Sequence, residues 1–294
     1  MRIAVHITFY LDKNKDKVKK LVNFKKIYNN FLKISPQTKI FVHTNKKIKD
    51  YKKNLFFIYH NIKNEDPYKL TWKCRNLMEK QKNNFDCFIY SEDDIIFSKK
   101  NFNYWLKYKD LFKKYNYNVG FIRTEKLKSY KKLWLVDQLE KLNEYIVIKK
   151  KYFFIVKNPY CAMWIYDKSE FNLFVNSKFW DLSKWRGLDS LAKLYDREKS
   201  AIGWHSLSMD RYKATIVPVN KQGVVSDCII SHSSNKYVNL LGRLNLSSDN
   251  LISHKSTFFK KKKSSKLRLL LNEFKFIFYQ SLRFNLKNIK KFLK

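Results

Sequence analysis

The sequence predicts an α/β domain built on a mainly parallel β-sheet that is flanked by helices. Short runs of β-branched and aromatic residues alternate along the chain with stretches whose apolar residues recur at helical spacing. Strands that alternate with helices are typical of a parallel sheet covered on both faces. The 294 residues are 45% hydrophobic and 17% aromatic, which is sufficient for a packed core and excludes a disordered chain.

The first half of the chain carries the clearest alternation. Strands are predicted, in chain order, at residues 2–10, 39–44, 54–62, 85–91 and 119–124. Helices are predicted between them at residues 15–33, after Asp66-Pro67, and at about 100–115. Asp66 would cap the second helix, and Pro67 suits its first position, where a backbone N–H is not needed.

The second half is predicted to add antiparallel strands to this fold. Residues 145–166 are rich in strand formers without a helical break, which predicts antiparallel strands or a hairpin. Helices are predicted near 169–176 and at 188–200, and short strands at 214–219 and 228–231.

The C-terminal region is predicted to be separate from this domain, which would comprise residues 1–242. Residues 243–258 are polar and rich in Ser and Asn, as in a linker. Residues 259–294 predict a basic amphipathic helical tail, because 13 Lys or Arg and one acidic residue fall within 255–294, between regularly spaced apolar residues. Such a helix favours an anionic membrane surface. Packing on the domain or a dimer contact is the alternative.

The net charge of +37 suggests a polyanionic partner such as nucleic acid, an anionic membrane or a phosphorylated substrate. An equally good explanation is drift of a solvated surface in a chain rich in Lys, Asn and Ile. The segment Lys13–Lys20 (KNKDKVKK) is assigned to such a surface.

Cellular location is predicted from the cysteines and from the lack of long apolar segments. The four cysteines have no C-x-x-C or zinc-finger spacing, so reduced thiols in the cytoplasm are expected. The first residues lack the pattern of a signal peptide, and no run reaches about 18 uncharged apolar residues. The protein is therefore predicted to be cytoplasmic and peripheral on the inner face of the membrane.

The strongest functional signal is an acidic triplet at the end of the fourth predicted strand. Glu92, Asp93 and Asp94 follow directly on the apolar run FIYS. In open α/β sheets, ligands bind outside the carboxyl ends of the strands. Adjacent carboxylates repel one another unless a cation offsets them, and hard oxygen ligands suit Mg²⁺ or Mn²⁺. Such an ion could hold a diphosphate leaving group. A solvated turn or a helix cap is the alternative.

These residues resemble GT-A fold glycosyltransferases, which carry an acidic D-x-D motif at a strand end. The EDD form, followed by an apolar residue and a helix rich in Phe and Trp, is similar to the N-acetylglucosaminyltransferase I type. The order DPYKLTWKCR, FIYSEDDI, GFIRTE and a terminal H-x-x-N-x-Y is also similar to a group of glycosyltransferase-like proteins of bacteria and eukaryotes. The resemblance spans about residues 2–240.

The resemblance implies the transfer of a sugar from a nucleotide-diphosphate sugar, with UDP as the nucleotide that the EDD form suggests. The acceptor would be a hydroxyl of a glycan or a lipid-linked molecule in surface polysaccharide or lipopolysaccharide assembly. Asp94 would ligate Mn²⁺ or Mg²⁺ directly, and His232 would be a second, late ligand, unless it is a surface loop histidine. Glu92 and Asp93 would contact the ribose or a metal-bound water.

The same resemblance places the nucleotide base near the end of the first strand, at Thr8, Phe9 and Tyr10. A catalytic base, if the transfer inverts the sugar, would be a late carboxylate. Asp189 ranks first because it begins a predicted helix, where it could also be a cap, and Glu198 ranks second because it could simply pair with a neighbouring cation.

Two arginines are candidate phosphate ligands. Arg123 closes the predicted strand GFIRTE, so it could bind a phosphate or carboxylate or could form an ion pair with Glu125. Arg75, on the helix before the acidic strand, is a weaker candidate of the same kind.

Two other functions remain as alternatives. A basic nucleic-acid-binding protein would explain the charge and the aromatic residues, but no known module is present and the acidic triplet disfavours that partner. A sugar nucleotidyltransferase would share the sheet and the metal. Such enzymes usually have a Gly-rich loop after the first strand, where this chain has YLDKNKDK.

Overall fold

The computed structural model describes residues 1–12, 17–48, 53–63, 65–126, 133–138, 141–185, 195–204, 211–220 and 223–237. Within these residues the chain forms an α/β fold, which confirms the predicted class. The predicted linker 243–258, the predicted tail 259–294 and Asp189 lie outside the described residues. No helix in the described part of the chain is both long and apolar enough to cross a membrane.

The elements of the described chain are fourteen strands and five α-helices. The strands are β1 (Ile3–Phe9), β2 (Thr38–Thr44), β3 (Leu55–Tyr59), β4 (Cys87–Glu92), β5 (Ile95–Ile96), β6 (Tyr117–Val119), β7 (Ile122–Lys126), β8 (Leu133–Leu135), β9 (Tyr145–Ile148), β10 (Lys151–Ile155), β11 (Met163–Asp167), β12 (Ala214–Asn220), β13 (Gly223–Val224) and β14 (Ile229–His232). The helices are α1 (Lys17–Leu32), α2 (Leu70–Lys80), α3 (Lys99–Lys114), α4 (Lys168–Val175) and α5 (Asp196–Ile202).

The main sheet has five strands in the order β11-β4-β1-β2-β3, and β11 is its one antiparallel strand. The chain leaves β1 through α1 towards β2, and it returns from β3 through α2 to β4. The two helices cover opposite faces, because Phe9 of β1 stacks on Phe24 of α1 while His6, of opposite parity, reaches Gln81 after α2. The order of the strands therefore reverses between β1 and β4, which is where open α/β sheets bind ligands.

Two smaller sheets extend the fold. One contains β9, β10, β12 and β13, with β6 pairing to β12, and the other has the order β5-β14-β7-β8. The single strand predicted at 119–124 was wrong, because β6 and β7 belong to different sheets. Gly120 lies at the break, where an added Cβ would be 2.9 Å from the carbonyl oxygen of Ile216. Only glycine lets the two backbones approach so closely.

The predicted helix start at Asp66 is confirmed in part. The Asp66 carboxylate accepts a hydrogen bond from the backbone N–H of Tyr68 at 2.9 Å, as a cap does. Residues Pro67–Lys69 nevertheless form a 3₁₀ turn, and the α-helix begins only at Leu70.

Aromatic side chains fill the core on both faces of the main sheet. All seven residues of β1 are buried. On β4, Phe88 stacks on Phe171 of α4 with ring centroids 3.8 Å apart. Each such fully buried side chain stabilises the fold by roughly 1.5–3 kcal/mol relative to exposure. The four cysteines are free and buried, which agrees with the expected reduced thiols.

Three histidines form a hydrogen-bonded row on the face of the sheet that α2 covers. His6 Nε2 lies 3.0 Å from Gln81 Oε1, His6 Nδ1 lies 3.0 Å from His43 Nε2, and His43 Nδ1 lies 2.8 Å from His60 Nε2. Because Gln81 Oε1 can only accept, each neutral ring donates from Nε2 and accepts at Nδ1. A second proton on His6 or His43 would set two N–H groups against each other. Burial, which disfavours the charged form of the ring, also lowers the pKa of His6 to about 3.

Candidate active site

The acidic triplet lies at the carboxyl end of β4, beside the end of β1, as the sequence predicts. Glu92 is the last residue of β4, and Asp93 and Asp94 form the turn into β5. Each acidic side chain faces a different cation from a different part of the fold: Lys20 of α1, Arg197 of α5 and His232 of β14.

Asp94 is paired with His232, the residue predicted to share a metal with it. His232 Nε2 is 2.8 Å from Asp94 Oδ2, and His232 Nδ1 is 2.5 Å from Glu125 Oε1. The backbone holds this arrangement, because β14 pairs with β5 at His232 and Ile95, and Ser233 N donates to the Asp94 carbonyl at 2.8 Å. Glu125 comes from β7, the other neighbour of β14. Three strands thus align a carboxylate, an imidazole and a second carboxylate.

The two carboxylates keep His232 protonated. Burial disfavours its charged form, but the hydrogen bonds to Asp94 and Glu125 outweigh burial and raise the pKa to about 9. Burial likewise opposes the charge on Asp94, yet the hydrogen bond and charge of His232, with the charge of Arg123, lower its pKa below the ordinary value. At neutral pH the imidazolium therefore donates to both carboxylates.

The other oxygen of Asp94 suits a cation. Asp94 Oδ1 is buried, and no group in the described residues donates a hydrogen bond to it. A buried carboxylate oxygen without a partner is costly unless a cation or water satisfies it. His232 Nε2 is hydrogen-bonded to the other oxygen of the Asp94 carboxylate. Glu125 accepts a hydrogen bond from the second ring nitrogen, as carboxylates do for metal-bound histidines. These residues fit a divalent metal ion.

The described chain offers only part of a coordination shell. Among its residues there is no group of three or more His, Cys, Asp and Glu side chains arranged to hold a metal ion. Asp94 and His232 would supply at most two ligands, so further oxygens would have to come from water or from a substrate. Mg²⁺ is commonly held in this way, by one or two carboxylates together with substrate phosphates.

Asp93 forms an ion pair with Lys20, a residue that the sequence analysis assigned to the solvated surface. That assignment was wrong, because Lys20 Nζ lies 2.7 Å from Asp93 Oδ2 and also donates to the carbonyl oxygen of Tyr10. The ammonium group lies 5.1 Å from the centroid of the Phe9 ring. Lys20 therefore joins the end of β1 to the acidic turn. Burial still raises the pKa of Asp93, although Lys20 opposes this effect.

Glu92 faces the opposite side of the turn. The Tyr160 hydroxyl donates to Glu92 Oε1 at 3.1 Å, and Arg197 Nε lies 3.7 Å from the same oxygen, beyond hydrogen-bond distance. Burial raises the pKa of Glu92 to about 7, although Arg197 opposes this effect. The Arg197 guanidinium lies 5.1 Å from the centroid of the exposed Tyr68 ring. An aromatic ring and an arginine thus border the acidic turn on this side.

Arg123 is close to the site but is buried in its wall. Its guanidinium forms two hydrogen bonds of 2.7 Å with Asp137, so the predicted alternative of an ion pair with Glu125 was wrong. The rings of Tyr160 and Tyr237 lie 5.1 and 5.7 Å from it. Among the described residues Arg123 donates no hydrogen bond to the acidic triplet, so it acts on Glu92 and Asp94 through its charge.

The end of the first strand lies beside the site, but two of its three predicted side chains belong to the core. The Thr8 hydroxyl is buried and lies 3.2 Å from the Tyr90 hydroxyl. Phe9 is fully buried, with its ring centroid 4.4 Å from that of Phe24. The side chain of Tyr10 is only half-buried. Of the three, Tyr10 has the side chain that can meet a ligand.

The remaining predicted residues have structural contacts. Arg75 is buried and donates to the backbone carbonyls of Phe179, Trp180 and Ser200, so its guanidinium is not aimed at the acidic turn. Glu198 Oε2 accepts from the backbone N–H of Tyr195 at 3.0 Å and caps α5, instead of pairing with Arg197 or Lys199.

Sequence reasoning missed the roles of Glu125, Lys20, Asp137, Tyr160 and Arg197. A local signal existed for Glu125, because Arg123 and Glu125 are two residues apart in one strand and so place two charges on one buried face. The other four reach the site from distant segments, and no local pattern marks them.

Comparisons with known proteins find distant similarity to solved structures. No protein-family model matches the chain, and no curated protein matches it. One similar solved structure is CMP:2-keto-3-deoxy-manno-octonic acid synthetase complexed with CTP, with a TM-score of 0.35 and 10% identity over 60% of this chain and 80% of that chain. Another is S. aureus TarS 1-349, with a TM-score of 0.35 and 12% identity over 69% of this chain and 56% of that chain.

Proposed function

We propose that this protein is a metal-dependent glycosyltransferase of the GT-A type that uses a nucleotide-diphosphate sugar. The observation that carries the proposal is the buried, unpartnered oxygen of Asp94 beside His232, at the point where the strand order reverses. The order of motifs along the chain, from the DPYKLTWKCR segment to the terminal histidine, supports the same function.

Asp94 and His232 would hold Mn²⁺ or Mg²⁺ in this proposal, and Glu125 would orient the imidazole. When bound, the ion supplies positive charge for a diphosphate leaving group. Binding through Nε2 requires His232 to lose the proton that it shares with Asp94.

The other site residues bind and orient the donor in this proposal. Lys20 holds the end of β1 against the acidic turn, which supports a role for Tyr10 in bordering the nucleotide. Glu92 and Asp93 would accept hydrogen bonds from the ribose or from a metal-bound water. Asp189 remains the proposed catalytic base, because the carboxylate of Glu198 already caps a helix.

The proposed donor is a UDP-sugar, and the proposed acceptor is a hydroxyl of a glycan or of a lipid-linked molecule. The reaction would belong to surface polysaccharide or lipopolysaccharide assembly at the inner face of the membrane. The tail at 259–294 would hold the enzyme on anionic lipid there.

A thermal-shift panel tests the proposed function. UDP, GDP, CDP, ADP, UTP and CTP are added in turn, with Mn²⁺ or with EDTA, because a ligand that binds the folded state raises the midpoint. The test variant is Asp94→Ala. The matched control is Asp110→Ala, which removes an equal charge from a side chain that is 78% exposed on α3.

One nucleoside diphosphate is expected to raise the midpoint of thermal unfolding, and only when Mn²⁺ is present. This shift is expected in the natural protein and in Asp110→Ala, but not in Asp94→Ala. A shift confined to a triphosphate would indicate a nucleotidyltransferase instead. Equal shifts for every nucleotide, unaffected by EDTA and by Asp94→Ala, would reduce the acidic triplet to a surface turn and favour a general polyanion-binding protein.

A further inference from the structure

Helix α1 exposes an apolar face to solvent. Val18, Leu21 and Val22 are 72%, 40% and 51% exposed. Their spacing of three and four residues places them on one side of the helix. A contiguous aliphatic face of this kind marks an interaction surface more often than isolated exposed apolar residues do.

Lysines accompany this face on α1 and along the adjoining sequence. Lys25 and Lys26 are exposed on the next turn of α1. Residues 17–49 contain ten lysines and no aspartate or glutamate. Aliphatic side chains framed by lysines are typical of helices that lie in the interface of an anionic membrane.

The opposite side of α1 contacts the acidic turn and the end of β1. Lys20 pairs with Asp93, and Phe24 stacks on Phe9 at the end of β1. The apolar face therefore belongs to a helix that is fixed to the acidic residues after β4. Its residues lie within four positions of Lys20, which makes that contact. A surface bound by this face would therefore contact the same helix that pairs with the acidic turn.

Charge decides between the possible occupants. Residues 255–294 of the chain carry 13 Lys or Arg against one acidic residue, so like charge opposes their packing on this face. A second copy of the chain, with a net charge of +37, is opposed in the same way. An anionic lipid surface offers both the apolar interior for the aliphatic side chains and the opposite charge for the lysines.

We propose that the face of α1 formed by Val18, Leu21 and Val22 docks on an anionic membrane surface, independently of the predicted C-terminal tail. The aliphatic side chains enter the headgroup boundary, and Lys25 and Lys26 contact lipid phosphates. This docking does not depend on the proposed glycosyl transfer.

A site-specific fluorescent label tests the docking in the full chain. Leu21→Cys is labelled with an environment-sensitive fluorophore, and the four native cysteines are buried, so the label goes to the introduced thiol. Leu173→Cys is the matched control, since Leu173 is 49% exposed on α4, away from the lysine-rich segment. The vesicles are phosphatidylcholine mixed with phosphatidylglycerol, or phosphatidylcholine alone.

With the anionic vesicles, the label at position 21 is expected to shift to shorter wavelength and to be shielded from an aqueous quencher, while the label at 173 stays unchanged. A double variant, Leu21→Ser with Val22→Ser, is expected to weaken vesicle sedimentation several-fold relative to Leu173→Ser. Sedimentation of labelled protein without any spectral change at position 21 would overturn the proposal. A change that grows with protein concentration in the absence of vesicles would overturn it too, since a second copy would then cover the face.

Discussion

Lowering the pH is expected to destabilise the fold through the row of buried histidines. His6 is fully buried and its pKa is lowered to about 3 from an ordinary value of 6.5, mainly because burial disfavours its charged form. The folded protein therefore cannot take up this proton above pH 3, whereas the unfolded chain takes it up below pH 6.5. The stabilisation is complete above the unfolded pKa and is lost as the pH falls.

The magnitude follows from the two pKa values. Between pH 7.5 and pH 5.0, proton uptake by His6 in the unfolded chain lowers the free energy of unfolding by about 2 kcal/mol. The pKa of His43 is also lowered, by burial and by the neighbouring histidines, and that of His60 is lowered by burial and Lys73. Both rings therefore add to the loss in the same direction.

Urea denaturation followed by tryptophan fluorescence measures this effect at the two pH values. His6→Gln removes the titrating ring and keeps a hydrogen-bonding side chain, so its loss of stability between the two values is expected to be about 2 kcal/mol smaller than that of the natural protein. Carboxylates that titrate in the same range cancel in this difference. An equal loss in both proteins would refute the assignment of a neutral, buried His6.

Three further outcomes are expected. Gly203→Ala is expected to lower the free energy of unfolding by about 3 kcal/mol in urea denaturation, because Gly203 has φ +64° and a Cβ there would lie 2.7 Å from the Tyr166 hydroxyl oxygen. Asp137→Ala is expected to cost about 3–5 kcal/mol in the same assay, since it leaves the buried charge of Arg123 without its partner, whereas Asp110→Ala should cost almost nothing. In the proposed metal site the ion would have to displace the proton of His232, so the affinity for Mn²⁺, measured by calorimetry, is expected to rise about tenfold per pH unit up to about pH 9. An affinity that does not change with pH would show that His232 is not a ligand.

Local pattern was sufficient to predict the four parallel strands of the main sheet. The strands at residues 3–9, 38–44 and 87–92 are mostly buried and rich in β-branched and aromatic residues, and the acidic triplet stands out because it follows such a run directly. The hydrophobic pattern of α1 also predicted its bounds to within two residues. These features depend on neighbours in the sequence.

The contacts of the site depend instead on which distant strands pair. Whether Arg123 meets Glu125 or Asp137 is decided by the pairing of β7 with β8, and that pairing carries no signature in either segment. Lys20 looked like one more lysine of a solvated run, because nothing local reports that one residue of an amphipathic helix turns inward onto a carboxylate. The pairing of β5 with β14 was missed because each partner contributes only two residues to it.

The distance along the chain between Asp94 and His232 has a consequence for how the protein is made. The two residues are 138 positions apart, and the strands that surround Asp94 in the main sheet come mostly from the first third of the chain. At a synthesis rate of about 5–20 residues per second, roughly 7–28 s pass between the appearance of the aspartate and that of the histidine. The sheet can form during that interval, but its acidic end has no imidazole. A chain interrupted before β14 would keep much of the scaffold and lack the imidazole that the proposed metal site requires, so that site would be completed only after the main sheet has been synthesised.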